Sequence, residues 1–125
     1  MFLHVIIDGR SVIEARQPHA GERELVDAVA RWAGTHPRTP IAAVVFDGAY
    51  EGDDAAGMVE HDERTVVVAT GDEPAADVIV LEVEELRVGA EPVIVATSDA
   101  ALRARVEALG AKVIDGAALL RTVLP

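Results

Sequence analysis

Three short runs rich in Val, Ile and Ala each terminate at an aspartate: HVII into Asp8, AAVVF into Asp47 and VIVATS into Asp99. Continuous apolar runs of this length, bounded by Gly, Asp or Pro, read as strands buried on both faces, and such strands belong to parallel sheets covered by helices. Parallel strands place their carboxyl ends on one edge, where open α/β sheets bind ligands, so the three aspartates are expected to meet there. A fourth candidate, Asp77, lies in an apolar segment of helical character. Carboxylates gathered without cationic partners repel, and must protonate or bind a cation. An all-oxygen donor set suits Mg²⁺ or Mn²⁺, which makes a metal-dependent phosphodiester enzyme the leading expectation.

Five strands are expected, at Leu3 to Ile7, Ile41 to Phe46, Val66 to Ala69, Val93 to Ala96 and Val113 to Ile114. Between them, Leu25, Val26, Val29, Ala30 and Ala33 make one face of a helix from Glu22 to Ala33, with Gly34 as its stop. Leu102, Val106 and Leu109 do the same from Asp99 to Leu109, where Ser98 or Asp99 can cap the start and Gly110 ends the helix. The segment from Pro74 to Val88 alternates like a strand at DVIVLEV. Pro74, with Asp72 and Glu73 before it, nevertheless favours a helix start, and Val78, Leu81 and Leu86 fall near one face. A carboxylate at Asp77, near such a buried face, is costly unless paired or coordinated. The alternation predicts one α/β domain over residues 1–125, a mostly parallel five-stranded sheet with helices on both faces.

With half of the 125 residues hydrophobic and 3% aromatic, the core must be built from Ala, Val, Leu and Ile. No uncharged apolar run approaches the ~18 residues of a membrane span. The opening MFLHVIIDGR lacks a basic leader and a small-residue cleavage site, so it is read as the first strand and a cytoplasmic protein is expected. The absence of cysteine excludes disulfides and thiolate metal sites. The net charge of −11 is concentrated in residues 41–100, where fifteen acids face only Arg64 and Arg87. That imbalance argues against a large nonspecific nucleic-acid surface, and any nucleic acid should contact the two ends of the chain. Two loops stand out: Gln17 to Gly21, and the polar Asp47 to Asp62, which could act as a lid or groove.

The opening strand running into Asp8-Gly9-Arg10-Ser11-Val12-Ile13 resembles the start of the NYN domain family, specifically its YacP-like branch, where a hydrophobic strand leads into D-G-Y-N-V-I. The matches continue in order: VVFDG ending around Asp47, the Ala76-Asp77 pair opening a helix, Thr97-Ser98-Asp99 after a strand, and GAKVIDGAALL as a final strand and helix. The family is similar to PIN-domain nucleases, and the resemblance implies a metal-dependent endoribonuclease or RNA-processing factor, its RNA including messenger RNA on the ribosome. Carried over, Asp8, Asp47, Asp77 and Asp99 would be catalytic residues and ligands of Mg²⁺ or Mn²⁺. Two departures bear on catalysis. Arg10 and Ser11 replace the family's aromatic and asparagine, and Leu81 stands where related proteins often carry glutamate.

Around that constellation, Arg10 and Arg16 are candidate contacts to a phosphate or to the acidic edge, and Ser11 can hydrogen-bond a carboxylate or cap a turn. Thr97 and Ser98 are candidates for orienting ligands from behind. Asp8 and Asp47 each precede glycine, a common turn pair, and Asp99 suits a helix cap. His4, His36 and His61 show no i, i+4 pairing and are not assigned to metal. The main alternative is a non-catalytic NYN-fold module binding RNA or protein. A receiver-like domain with Asp47 as phosphoacceptor and Thr97 as switch is a weaker one. Neither a G-x-G-x-x-G nor a P-loop motif occurs, which argues against a nucleotide-binding enzyme. Ala, Val and Leu surfaces could support a homodimer, although no sequence feature locates an interface.

Overall fold

In the computed structural model, which describes residues 2–50 and 57–125, the first apolar run forms β1 (His4–Asp8) and turns at once into α1 (Gly9–Glu14). There follow α2 (Glu22–Thr35), β2 (Ile41–Phe46), β3 (Gly57–Glu60), β4 (Thr65–Ala69) and α3 (Ala75–Val88). The chain closes with β5 (Val93–Ala96), α4 (Ala100–Ala108), β6 (Lys112–Ile114) and α5 (Gly116–Val123). The sheet order is β3-β4-β2-β1-β5-β6, parallel throughout except for the β3-β4 pair. Counting only the parallel strands, the order reverses between β1 and β5. This differs from the 2-1-3-4-5 order of receiver domains, which removes the structural basis for that alternative.

Side chains alternate across the sheet with the expected period of two. Val5, Ile7, Val44 and Phe46 pack under α1, α2 and α5, whereas Ile6, Val45, Val93 and Val95 pack under α3 and α4. The core is therefore two aliphatic layers either side of one sheet, as the scarcity of aromatics requires. Among the described residues no helix is long and apolar enough to cross a membrane.

Four local expectations are corrected. The sheet gains a sixth strand, β3, within the stretch read as a loop. Its GMVE sequence is exposed throughout and takes its conformation from antiparallel pairing with β4. Residues 51–56 of that loop lie outside the described residues. Helix α2 runs through Gly34 to Thr35 and ends at His36, whose extended backbone (ψ 136°) suits a residue preceding proline. The buried face of α3 carries Ala75, Ile79, Val80 and Val83, while Leu81 is 59% exposed, because packing onto β1, β2 and β5 sets the helix phase. Lastly, the short helix α1 had no periodic signal of its own. It exists because Gly9 lets the chain turn directly beneath Phe46; a Cβ there would lie 2.4 Å from the ring.

Candidate active site at the carboxyl edge of the sheet

Asp8, the last residue of β1, sits at the point where the strand order reverses, the usual crevice of an open α/β sheet. Its side chain is among the few buried polar ones, and the Thr97 hydroxyl donates to Asp8 Oδ2 at 2.8 Å. Burial raises the Asp8 pKa above the ordinary carboxylate value. The Thr97 hydrogen bond opposes that shift, the negative charges of Asp47 and Asp99 add to it, and the Ser11 backbone amide weakly opposes it. The aspartates of three separate strand ends thus share one electrostatic neighbourhood. They line an open hollow of about 420 Å³ with Arg10, Ser11, Glu14 and Ser98.

Each aspartate is anchored by one oxygen. Asp47 Oδ1 accepts the Ala75 backbone N–H at 2.6 Å, satisfying the first orphan donor of α3, which Pro74 has no side chain to cap. Asp99 Oδ1 accepts from Ala101 N at 2.9 Å and Leu102 N at 3.3 Å, so it is the N-cap of α4 as well as a wall of the hollow. Behind them, Asp99 N donates to Thr97 Oγ1 (3.0 Å) and Ser98 N donates to Ser11 Oγ (2.7 Å). These bonds tie the turn after β5 to α1. Ser98 Oγ donates to Asp115 Oδ1 at 2.9 Å and accepts from Gly116 N at 3.2 Å, which fixes the start of α5 as well.

The remaining candidates divide. Arg10 reaches the hollow and faces Glu22 at 3.6 Å, not the aspartates. Arg16 turns away, donating from Nη1 to the Leu124 carbonyl at 2.8 Å. Asp77 does not line the hollow: on the first turn of α3 its side chain is 54% exposed and Arg105 donates to Oδ1 at 2.9 Å. The expectation of a carboxylate at a buried helix face is thereby corrected, and the cost attached to it disappears through this exposed ion pair. Two residues of this edge escaped the sequence reading. Glu14 enters the hollow by the i, i+3 spacing from Ser11, visible only once α1 is known. Asp115 follows the apolar run of β6 just as Asp8 and Asp47 follow theirs, and the same rule would have found it.

Among the described residues, no three His, Cys, Asp or Glu side chains are gathered into a ready-made metal cluster. The donor chemistry nonetheless fits Mg²⁺ or Mn²⁺. Mg²⁺ is ordinarily held by one or two carboxylates, with waters and substrate phosphates completing its shell. Asp8 supplies a buried carboxylate whose nearby charges are negative, and among the described residues the second oxygens of Asp47 and Asp99 accept no hydrogen bond.

Compared with known families, residues 5–124 match the model of the YacP-like NYN domain. The chain belongs to the YacP-like NYN family. Two crystal structures of Rae1 (YacP) from Bacillus subtilis are similar to it. The W164L mutant superposes with a TM-score of 0.69 at 24% identity, covering 96% of this chain and 73% of that one. The other superposes at 0.71 and 22%, covering 95% and 72%. No curated protein matches the sequence. The NYN fold is of nuclease type, and the family generally uses divalent metal.

Proposed function

We propose that this YacP-like NYN chain is a divalent-metal-dependent endoribonuclease. The observation that supports this most is the buried Asp8 at the strand-order reversal, with its proton affinity raised by burial and by the charges of Asp47 and Asp99. Asp8, Asp47 and Asp99 would hold Mg²⁺ or Mn²⁺. Bound there, the cation would activate water, polarise a phosphoryl oxygen and stabilise the leaving oxygen. Thr97 holds Asp8 Oδ2 in one orientation, and Ser11 and Ser98 keep the turn after β5 against α1. Arg10, half-exposed at the rim, would donate to the phosphate from a planar guanidinium suited to paired oxygens. Ser11 would contact the same strand of RNA, and Arg16 would do so after releasing the Leu124 carbonyl. Asp77 would complete the site or position the attacking water on giving up Arg105. The substrate would be RNA, messenger RNA on the ribosome included.

Cleavage of end-labelled structured and single-stranded RNAs, with and without Mn²⁺, tests the proposal. Wild type is expected to cut only with metal, and Asp8→Asn to lose at least about a hundredfold in rate, the scale of losing a principal ligand or its support. Unchanged metal-dependent cutting by Asp8→Asn would refute the assignment. A second reading is a non-catalytic NYN module that binds RNA or protein. It is favoured by the exposed Leu81 and by the pairing of Asp77 with Arg105. RNA binding without cutting, indifferent to Mn²⁺, would select it.

A further inference from the structure

Seven of the eleven Lys and Arg side chains form no ion pair among the described residues, and three of those seven meet. Arg38, Arg87 and Lys112 form no ion pair among the described residues. All three line a hollow of about 200 Å³, with Leu3, Val93 and Gly110 among its walls. The hollow lies at the amino ends of β1, β5 and β6, the edge opposite Asp8. At a rise of ~3.3 Å per residue along the five residues of β1, the two sites are roughly 15 Å apart.

Three different parts of the chain build this hollow: the turn after α2 brings Arg38, the last turn of α3 brings Arg87, and the first residue of β6 is Lys112. Arg87 is held in place, donating from Nη1 to the Glu91 carbonyl at 2.9 Å. Its guanidinium fits against Gly110, where φ is +94° and a Cβ would approach Nε to 3.1 Å. Arg87 Nε is buried against Gly110 without a hydrogen-bond partner among the described residues, so packing there and the Nη1 bond together fix the guanidinium. The carboxylate of nearby Glu91 lies 3.9 Å from His4 Nε2, and among the described residues it forms no ion pair with the three cations. A clamped guanidinium, a second arginine and an ammonium lining one small hollow supply the positive charge and N–H donors that a tetrahedral oxyanion takes.

We propose that this amino-edge hollow binds a phosphoryl group, supplied either by an RNA backbone or by a free phosphorylated molecule. The test uses the full chain in phosphate-free buffer without divalent cation, so it stands or falls separately from cleavage at the carboxyl edge. Inorganic phosphate is titrated against the ¹⁵N-labelled protein, and single-stranded RNA binding is followed by anisotropy. Arg38→Glu/Lys112→Glu changes two exposed side chains and should leave the fold intact, as its dispersed amide spectrum would show. Saturable shifts at Val93, Gly110 and Lys112 are expected in wild type, with phosphate binding at least about tenfold weaker in the double variant, as counterion-driven contacts are lost. A parallel fall in RNA affinity assigns the phosphoryl group to RNA; an effect on phosphate alone assigns it to a small molecule. Equal phosphate response and equal RNA affinity in wild type and variant would overturn the proposal.

Discussion

Asp8 carries opposing demands within one side chain. Burial makes its ionised form costly, and the Thr97 hydroxyl offsets only part of that cost. Because its pKa in the folded chain is raised above that in the unfolded chain, the native state binds the proton more tightly. Its contribution to stability is full below the ordinary carboxylate value of about 3.9 and is lost as pH rises through the raised one. Asp8→Asn removes the charge and keeps an oxygen for Thr97. It is therefore expected to melt at a higher temperature than wild type at neutral pH, with the gap closing in acid. Thermal melts between about pH 3 and about pH 8 would show this, and a lower melting temperature at neutral pH would mean that the fold needs the charge. Asp99 has a different task, since its Oδ1 serves two backbone amides of α4.

At the scale of elements, the aspartates join strand ends to helix starts. Asp47 lies twenty-eight residues from Ala75 in sequence and holds the first amide of α3. Asp47→Ala should cost about 1 kcal/mol, the usual loss for a helix N-terminal acceptor, with faster hydrogen exchange at Ala75 to Asp77. Asp47→Asn, which retains an acceptor oxygen, should lose less. Amide exchange unchanged in Asp47→Ala would remove this capping role. The strands and long helices were legible in the sequence because their apolar residues recur at the spacing of the structure they form. β3 and α1 were not, since neither has an apolar pattern independent of its partner: one is held by β4, the other by the fit of Gly9 to Phe46. Leu81 was placed on the wrong face because several apolar residues of α3 fit more than one helical stripe, and only packing on the sheet chooses between them.

For the whole molecule, charge is segregated at two edges of one sheet, acidic at the carboxyl ends and basic at the amino ends near Arg38, Arg87 and Lys112. If the acidic edge holds a divalent cation, Mn²⁺ binds the native state preferentially and should raise the melting temperature. Protons compete for the Asp8 carboxylate, so the rise should be larger near about pH 8 than near about pH 5, and Asp8→Asn should reduce it. A rise of equal size in Asp8→Asn at both pH values would place the cation elsewhere. The sequence alone determined the parallel α/β class, the aliphatic core and the arrival of Asp8, Asp47 and Asp99 at one edge, because apolar periodicity is a local property of the chain and a helix between two strands carries the chain back to start the next strand in the same direction. The tertiary structure decided which oxygens are occupied, that Asp77 faces Arg105 outside the hollow, that Arg16 faces Leu124, and that Glu14 joins the site. It also brought three distant cations together at the opposite edge. Such pairings depend on distances between residues far apart in the chain, which are set only when helices and sheet pack.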